Sequence, residues 1–208
     1  MPESNAAGKI IILNGAPRSG KTSVAKAIQD TFDGVWINLG VDRYMDMIPE
    51  RYMPGIGLRP GGERPDLEPI ILSMYLAMYE SIAAHSRRGL HVVVDVDHHD
   101  FYSVPLKILP QCARILDGHW ALFVGIRCPL DEIMHRREKT WKMGYQEDGA
   151  IPPPVLRWQR CVHEPGIYDM EFDTSVLAAS AIASEIKERL AGAPPDALRK
   201  IRERTLNE

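Results

Sequence analysis

A glycine-rich segment near the start of the chain carries the residue types that bind phosphate. Residues 15–22 are GAPRSGKT, a complete match to the pattern G-x-x-x-x-G-K-[ST]. The apolar run KIIILN precedes this segment and an amphipathic stretch follows it, which is the strand–loop–helix context that the pattern requires. The residues predicted to bind a nucleotide here are Gly15, Ala16, Pro17, Arg18, Ser19, Gly20, Lys21 and Thr22.

The chemistry of phosphate binding explains these residue types. Glycines let the backbone wrap a phosphate group, while the amides and the positive end of the following helix point at it. Lys21 should reach the β- and γ-phosphates, and the Thr22 hydroxyl should bind Mg²⁺. No guanine-recognition sequence N-K-x-D follows, so ATP with Mg²⁺ is predicted. The alternative is a glycine-rich turn that only caps a helix.

Two acidic side chains follow apolar runs that should be strands. Asp42 ends the run 35–42, and Asp95 follows HVVV. Ligands of open α/β sheets bind beyond the carboxyl ends of the strands, so both carboxylates should face the γ-phosphate. Asp95 is predicted to hold Mg²⁺, with Asp97 as the alternative because successive strand residues face opposite sides. Asp42 is predicted to accept a proton from a substrate hydroxyl, or to cap the next helix.

A basic stretch follows the fourth apolar run. Its cations are Arg136, Arg137, Lys139 and Lys142, and a loop containing Pro and Gly comes after them. Mobile cations stabilise the charge that develops on a transferred phosphoryl group, so residues 129–154 are predicted to form a mobile lid. A solvated helix face is the alternative explanation of such a charge run.

The elements that would position these residues alternate along the chain, which predicts an α/β fold in three layers with five parallel strands and the first strand central. The predicted loops are 49–66 and 141–154, and 193–208 is a short, charged helical tail. A single domain over residues 1–208 fits the length. The predicted strands are 9–15, 35–42, 91–97, 119–128 and 168–175, and the predicted helices are 22–31, 66–88, 102–116, 129–143 and 176–191.

Composition excludes several classes of function. Hydrophobic residues at 45% and charged residues at 25% are typical of a soluble globular protein, and a net charge of −3 disfavours a nucleic-acid partner. The three cysteines lack metal-ligand spacing, and DHHD at 97–100 offers no third ligand elsewhere, which disfavours a transition metal. No signal peptide or long apolar run is present, so we expect a cytoplasmic protein without a membrane partner. A homo-oligomer remains open.

Five segments together resemble chloramphenicol 3-O-phosphotransferase and its relatives, in matching order across roughly residues 9–190. The segments are LNGAPRSGKTSVAKAIQ, LGVDRYMDMIP, VVVDVD, VGIRCPLDE with the later RRE, and VHEPGIYDMEFDTS. The first of these is generic to P-loop proteins. The second joined to the last is specific to the family.

The resemblance implies a P-loop kinase fold like those of nucleoside-monophosphate and shikimate kinases. It implies transfer of the γ-phosphoryl group of ATP to a primary hydroxyl of an amphenicol antibiotic. The catalytic aspartate of the family falls on Asp42, and its lid arginine falls on Arg137, with Arg136 as the alternative. The P-loop lysine and hydroxyl fall on Lys21 and Thr22.

The acceptor is a small hydroxylated molecule in this interpretation, and two other functions compete with it. One is an ATPase or nucleotide-dependent switch without an acceptor, and the other is a kinase of a nucleotide, sugar or cell-wall precursor. The predicted acceptor pocket comprises Tyr44, Met45, Met53, Tyr75, Met78 and His98. Packing in the helix core is the alternative role for the methionines and Tyr75.

Overall fold

Five parallel strands form one sheet in the order β2-β3-β1-β4-β5. A computed structural model describes residues 6–61, 64–142 and 144–206. The central position of the first strand and the parallel five-stranded sheet confirm the predicted fold class. The strands are β1 (Ile10–Asn14), β2 (Trp36–Asn38), β3 (His91–Val96), β4 (Ala121–Arg127) and β5 (Met170–Asp173).

Helices cover both faces of the sheet. Because successive strand residues point to opposite sides, Ile10 and Ile12 of β1 pack with α3, α4 and α8, whereas Ile11 and Leu13 pack with α1 and α7. All four side chains are fully buried. The helices are α1 (Lys21–Thr31), α2 (Val41–Met45), α3 (Glu68–Arg87), α4 (Ile108–Ile115), α5 (Leu130–Trp141), α6 (Pro153–Cys161), α7 (Ala179–Arg189) and α8 (Ala197–Leu206).

The second strand is shorter than predicted. It ends at Asn38, and Asp42 lies in the first turn of α2, so the prediction that Asp42 ends a strand is wrong. The helix begins after Gly40, which occupies the N-cap position, so Asp42 is not the cap either. An acidic residue in the first turn of a helix is still favoured by the helix dipole.

Two further boundaries differ from the prediction. The helix predicted from residue 102 begins at Ile108, because the Asp100 carboxylate accepts hydrogen bonds from the backbone N–H groups of Leu106 and Lys107 and fixes residues 101–107 as a loop. The predicted loop 141–154 ends early because α6 starts at Pro153. Proline suits the first turn of a helix, where no backbone donor is needed.

The segment between α2 and α3 and the C-terminal tail both contain helical turns. Three 3₁₀ helices, Glu50–Tyr52, Gly55–Gly57 and Pro65–Leu67, occupy the segment predicted as the loop 49–66. The predicted C-terminal tail contains α8, which packs onto α4. None of the helices in the described part of the chain is long and apolar enough to cross a membrane.

Candidate active site

The phosphate-binding loop connects the central strand β1 to helix α1. Two of its glycines are required by geometry: a Cβ on Gly15 would lie 2.2 Å from the carbonyl oxygen of Ile126, and Gly20 has a φ of +98°. Lys21, the first residue of α1, donates hydrogen bonds from Nζ to the carbonyl oxygens of Gly15 (2.7 Å) and Ala16 (3.0 Å). The amino group therefore lies inside the loop, at the N-terminus of the helix.

The Thr22 hydroxyl meets a carboxylate from the neighbouring strand. Its Oγ1 donates to Oδ2 of Asp95 over 3.0 Å, and Asp95 is the penultimate residue of β3. Gly40 makes room for this carboxylate, since a Cβ there would lie 1.8 Å from Oδ1 of Asp95. A hydroxyl and a carboxylate oxygen at this separation suit Mg²⁺, which prefers oxygen ligands.

Three carboxylates interact electrostatically with the amino group of Lys21. Burial lowers the pKa of Lys21, and Asp97, Asp95 and Asp42 oppose that change. Burial also raises the pKa of Asp42, with further contributions from Asp95 and Asp46 and an opposing one from Lys21. For Asp97, burial raises the pKa to about 6. Asp42 and Asp97 therefore bind protons more tightly than free aspartates do.

A cleft of about 730 Å³ contains these groups. One part of its wall comes from the loop 15–22 and the ends of β3 and β5, and another from α2 and the 3₁₀ segment. The cleft thus brings the predicted Mg²⁺ ligands, the predicted base and apolar side chains together. Its lining includes Arg18, Lys21, Thr22, Asp42, Asp95, Asp97, Arg136, Trp141, Met45, Met53, Pro54, Arg59 and Trp158.

Arg136 is firmly held at the edge of the phosphate-binding loop. Its Nε donates to Glu132 (2.7 Å), and its Nη atoms donate to Oγ1 (3.0 Å) and the carbonyl oxygen (2.8 Å) of Thr174. A longer bond of 3.3 Å reaches the carbonyl oxygen of Arg18. Thr174 in turn donates to the carbonyl oxygen of Ser19. Arg136 therefore connects α5 to the loop and to the end of β5.

The side chains of Arg18, in the phosphate-binding loop, and of Arg137, on α5, both contact one aromatic ring. The guanidinium carbon of Arg18 is 3.8 Å from the centroid of Trp141, and that of Arg137 is 5.0 Å away. The Nε atoms of both arginines are buried and have no hydrogen-bond partner among the described residues. Burial lowers the pKa of Arg137, and the positive charges of Arg59 and Arg18 add to this effect. The cluster is rich in positive charge.

The predicted acceptor pocket is only partly correct. Met45 and Met53 line the cleft, but Tyr75, Met78 and His98 are at most 2% exposed and belong to the core. Nε2 of His98 forms a hydrogen bond with the Tyr79 hydroxyl (2.7 Å), and the backbone N–H of His98 donates to Oδ1 of Asn14. Tyr44 packs, half-buried, against the same core.

The DHHD segment has structural roles. Nε2 of His99 lies 3.0 Å from the carbonyl oxygen of Leu58, which ties the loop after β3 to the 3₁₀ segment. Burial lowers the pKa of His98 to about 3 and that of His99 to about 4, so both are neutral at pH 7. Among the described residues, no group of three or more His, Cys, Asp or Glu could hold a metal ion.

Some candidate cations lie outside the cleft, and some of the lining residues were not predicted. Lys139 and Lys142 are exposed on α5 and just after it, and the predicted lid arginine Arg137 is not among the residues that line the cleft. The sequence reasoning missed Gly40, Arg59 and Trp158. The position of Gly40 two residues before the candidate base Asp42 was a usable signal. The places of Arg59 and Trp158 depend on tertiary contacts between distant parts of the chain.

A parallel sheet with a phosphate-binding loop after its central strand defines the P-loop kinase fold. The chain belongs to the chloramphenicol phosphotransferase-like family, whose model matches residues 8–191. This family and this fold support a phosphotransferase of a small molecule.

Similar proteins agree with this placement. Two Mycobacterium tuberculosis proteins, each named "Putative O-phosphotransferase" (MT2714 and Rv2636), are 29% identical over 223 residues, covering 100% of this chain and 92% of each relative. Among solved structures, shikimate kinase from Acinetobacter baumannii has a TM-score of 0.57 at 11% identity, covering 89% of this chain and 94% of that one. The Mycobacterium tuberculosis APS kinase also has a TM-score of 0.57, at 14% identity, covering 89% and 99%. These structures show the fold.

Proposed function

We propose that the protein is an ATP-dependent O-phosphotransferase, which moves the γ-phosphoryl group of ATP to a hydroxyl group of a small molecule. The observation that carries this proposal is the position of Asp42. Its carboxylate lines the same cleft as Lys21, Thr22 and Asp95, and it interacts electrostatically with both Lys21 and Asp95. A carboxylate so placed can meet an acceptor hydroxyl beside the phosphoryl group.

The nucleotide is proposed to bind at the loop 15–22. Backbone amides of the loop and the N-terminus of α1 would face the phosphates, and Lys21 would exchange its bonds to loop carbonyls for phosphate oxygens. Thr22 and Asp95 would hold Mg²⁺, which neutralises charge on the β- and γ-phosphate oxygens when bound. Arg136, already fixed at the loop, would add a positive charge beside them.

The chemical step follows from this placement. The acceptor oxygen attacks the γ-phosphorus, the bond from that phosphorus to the β–γ bridging oxygen breaks, and ADP leaves with the electron pair. The hydroxyl proton goes to the Asp42 carboxylate. Burial and the negative charge of Asp95 raise the pKa of Asp42, which makes the carboxylate a better proton acceptor. Arg18, which lines the cleft, would stabilise charge on the phosphoryl group as it moves, and Arg137, which contacts the same Trp141 ring without lining the cleft, would join it when the lid closes.

We propose an amphiphilic acceptor of the chloramphenicol type as the first to examine. Family membership supports it, and so do the apolar side chains on the cleft wall away from the phosphate-binding loop, namely Met45, Met53, Pro54 and Trp158. Phosphorylation of such an antibiotic would confer resistance. A kinase of a nucleotide, sugar or cell-wall precursor would use the same base and loop, and the acceptor assay separates these cases.

The decisive experiment measures ATP consumption with a panel of hydroxylated compounds that includes chloramphenicol, followed by mass analysis of the product. Asp42→Asn should retain ATP binding and lower transfer by about 10²–10⁴-fold, because the hydroxyl loses its proton acceptor. Asp46→Asn, at the C-cap of the same helix, is the matched control and should keep most of the activity. Transfer that survives in Asp42→Asn, or ATP hydrolysis that is equally fast without any acceptor, would contradict the proposal.

A further inference from the structure

Trp141 is an exposed aromatic residue at the wall of the main cleft. It is the last residue of α5, and it lines the cleft together with Arg18 of the phosphate-binding loop. The core contacts of α5 come from other residues of the helix, since Ile133 and Met134 are almost completely buried in an apolar cluster. Packing in the core therefore does not explain why a large aromatic ring occupies this position.

Two guanidinium groups contact this ring. The guanidinium carbon of Arg18 lies 3.8 Å from the ring centroid, and that of Arg137 lies 5.0 Å away. Arg137 precedes Trp141 by one turn of α5, the spacing at which helical side chains meet, whereas Arg18 belongs to the loop between β1 and α1. Arg136 holds α5 beside this loop through its bonds to Thr174 and to the carbonyl oxygen of Arg18. Trp141 thus joins a cation of the loop to a cation of the predicted lid.

Holding the two arginines together has an energetic cost. Burial lowers the pKa of Arg137, and the positive charges of Arg59 and Arg18 lower it further, so Arg18 and Arg137 repel each other. The backbone of Arg18 also has a φ of +69°, in the left-handed region that residues other than glycine rarely adopt. Such strain is typical of functional sites, where the surrounding structure enforces it. The indole ring opposes the repulsion, because its negative face attracts both cations.

The charge of Arg18 also reaches the groups that are proposed to react. Arg18 interacts electrostatically with Asp42, the proposed base, and it lines the same cleft as Lys21. A γ-phosphoryl group that lies between Lys21 and Asp42 would therefore experience the positive charge of Arg18. Because Arg137 contacts the same ring as Arg18, its charge would be held close to that group as well.

We propose that Trp141 is a positioning residue, whose ring holds the guanidinium groups of Arg18 and Arg137 together so that both stabilise the γ-phosphoryl group of the bound nucleotide. The inference rests on the proposed function, since it concerns the nucleotide of the same reaction. Trp141 acts through the two arginines and does not itself bind the phosphate. Without the ring the like charges separate, and the γ-phosphoryl group loses part of the positive charge that faces it.

Two nucleotides that differ by the γ-phosphoryl group test this role without an acceptor. The affinities of AMPPNP and ADP are measured by calorimetry, each with Mg²⁺, for the wild-type protein and for Trp141→Leu. We expect the ratio of the two affinities to shift against AMPPNP by about fivefold or more in Trp141→Leu, because only the contacts to the γ-phosphoryl group are weakened. The affinity of ADP should be unchanged, which also verifies that the variant folds.

Further variants separate positioning from a general structural role. Trp141→Phe should restore most of the AMPPNP preference, because phenylalanine keeps an aromatic face for the cations. When Arg18→Gln and Arg137→Gln are combined, adding Trp141→Leu should not shift the ratio further, since the ring has no cation left to hold. Tyr145→Leu is the matched control, since Tyr145 is exposed in the loop after α5 and is not among the described residues that line the cleft.

Four results would overturn the proposal: an unchanged ratio in Trp141→Leu, an equal loss of affinity for both nucleotides, a full further shift in the protein that lacks both arginines, or no nucleotide binding to the wild-type protein. Failure here is distinguishable from failure of the proposed function. Phosphoryl transfer that depends on Asp42, with an unchanged ratio in Trp141→Leu, would retain the function and refute the positioning role. A ratio that depends on Trp141, without transfer to any hydroxylated compound, would have the opposite meaning.

Discussion

The two ends of the cleft are built by different means. At the nucleotide end, Lys21 is the first residue of a helix and Asp95 is on a strand, so the backbone of regular elements determines their positions. At the acceptor end, Met53 and Arg59 lie in a segment of short 3₁₀ helices that is held by side-chain bonds from Arg64 and His99. The first end is specified locally, and the second by contacts between distant parts of the chain.

This difference implies that the two ends should tolerate substitution differently. Changes at the nucleotide end disturb a geometry in which a single methyl group would clash with a backbone or carboxylate oxygen, as at Gly15 and Gly40. Changes at Met53 and Arg59 replace exposed side chains of the 3₁₀ segment, whose backbone is held by bonds from Arg64 and His99. The nucleotide end should therefore respond with loss of catalysis, and the acceptor end with a change of ligand.

Apart from Asp42, the largest effect is expected at Lys21. Lys21→Ala should lower phosphoryl transfer by about 10²–10³-fold, because the charge that stabilises the phosphoryl group is lost. Steady-state ATP consumption with an identified acceptor measures it. Lys26→Ala, an exposed lysine on the same helix that pairs with Asp30, is the control and should be near wild type. Unchanged activity in Lys21→Ala would remove the phosphate-binding loop from the mechanism.

The next effect separates two adjacent arginines. Arg137→Gln should lower transfer by about 10²-fold while leaving stability nearly intact, since its Nε has no protein partner to lose. Arg136→Gln should instead cost about 1–3 kcal/mol of unfolding free energy, because it removes bonds to Glu132 and Thr174. Parallel activity and denaturation measurements test the pair. The reverse pattern would assign the predicted lid cation to Arg136.

A smaller loss is expected from Gly40→Ala. The new Cβ would displace the Asp95 carboxylate from Thr22, so transfer should fall about tenfold and the Mg²⁺ concentration needed for half-maximal rate should rise. The Mg²⁺ dependence of the rate measures this. The control is Gly192→Ala, where the nearest atom is the end of the flexible Arg189 side chain. An unaltered Mg²⁺ requirement would separate Asp95 from metal binding.

The last effect concerns stability rather than catalysis, at Asp97 beside Lys21. Burial raises the pKa of Asp97 from 3.8 to about 6, so the folded state binds its proton more tightly than the unfolded state does. The carboxylate therefore lowers stability above about pH 6, and this loss disappears below about pH 4. Asp97→Asn should stabilise the protein at pH 7.5 by at most about 3 kcal/mol.

Urea unfolding at pH 7.5 and pH 5.0 measures the effect, and the gain should shrink at the lower pH. Asp30→Asn, an exposed site, serves as the control. Destabilisation of Asp97→Asn by the same amount at both pH values would show that Asp97 is stabilising in its charged form.

The nucleotide end could be predicted from sequence because its signals are local. The pattern at 15–22 requires its strand and helix, and apolar runs such as HVVV are typical of buried strands, so the sheet and the positions of Lys21, Thr22 and Asp95 follow. Asp42 lines the cleft as predicted, but the predicted element was wrong. The strand β2 ends at Asn38, and Asp42 lies in the first turn of α2.

The acceptor end could not be predicted in the same way. Tyr75 and Met78 have the composition of a ligand pocket, but they face the sheet from α3, and only the packing of that helix decides this. Trp158 reaches the cleft because α6 starts at Pro153, within a proline run that indicated a loop. Arg59 depends on the path of the 3₁₀ segment. Each of these positions is set by contacts across long stretches of sequence.

Trp141 also provides an intrinsic fluorescence probe of the site. This indole is 44% exposed and contacts the guanidinium groups of both Arg18 and Arg137, whereas Trp36 and Trp158 are each 7% exposed. Any approach or withdrawal of α5 relative to the phosphate-binding loop changes the polarity around that one ring. Tryptophan emission, with Trp141→Phe as the blank, would therefore follow nucleotide-linked movement in real time without an attached dye.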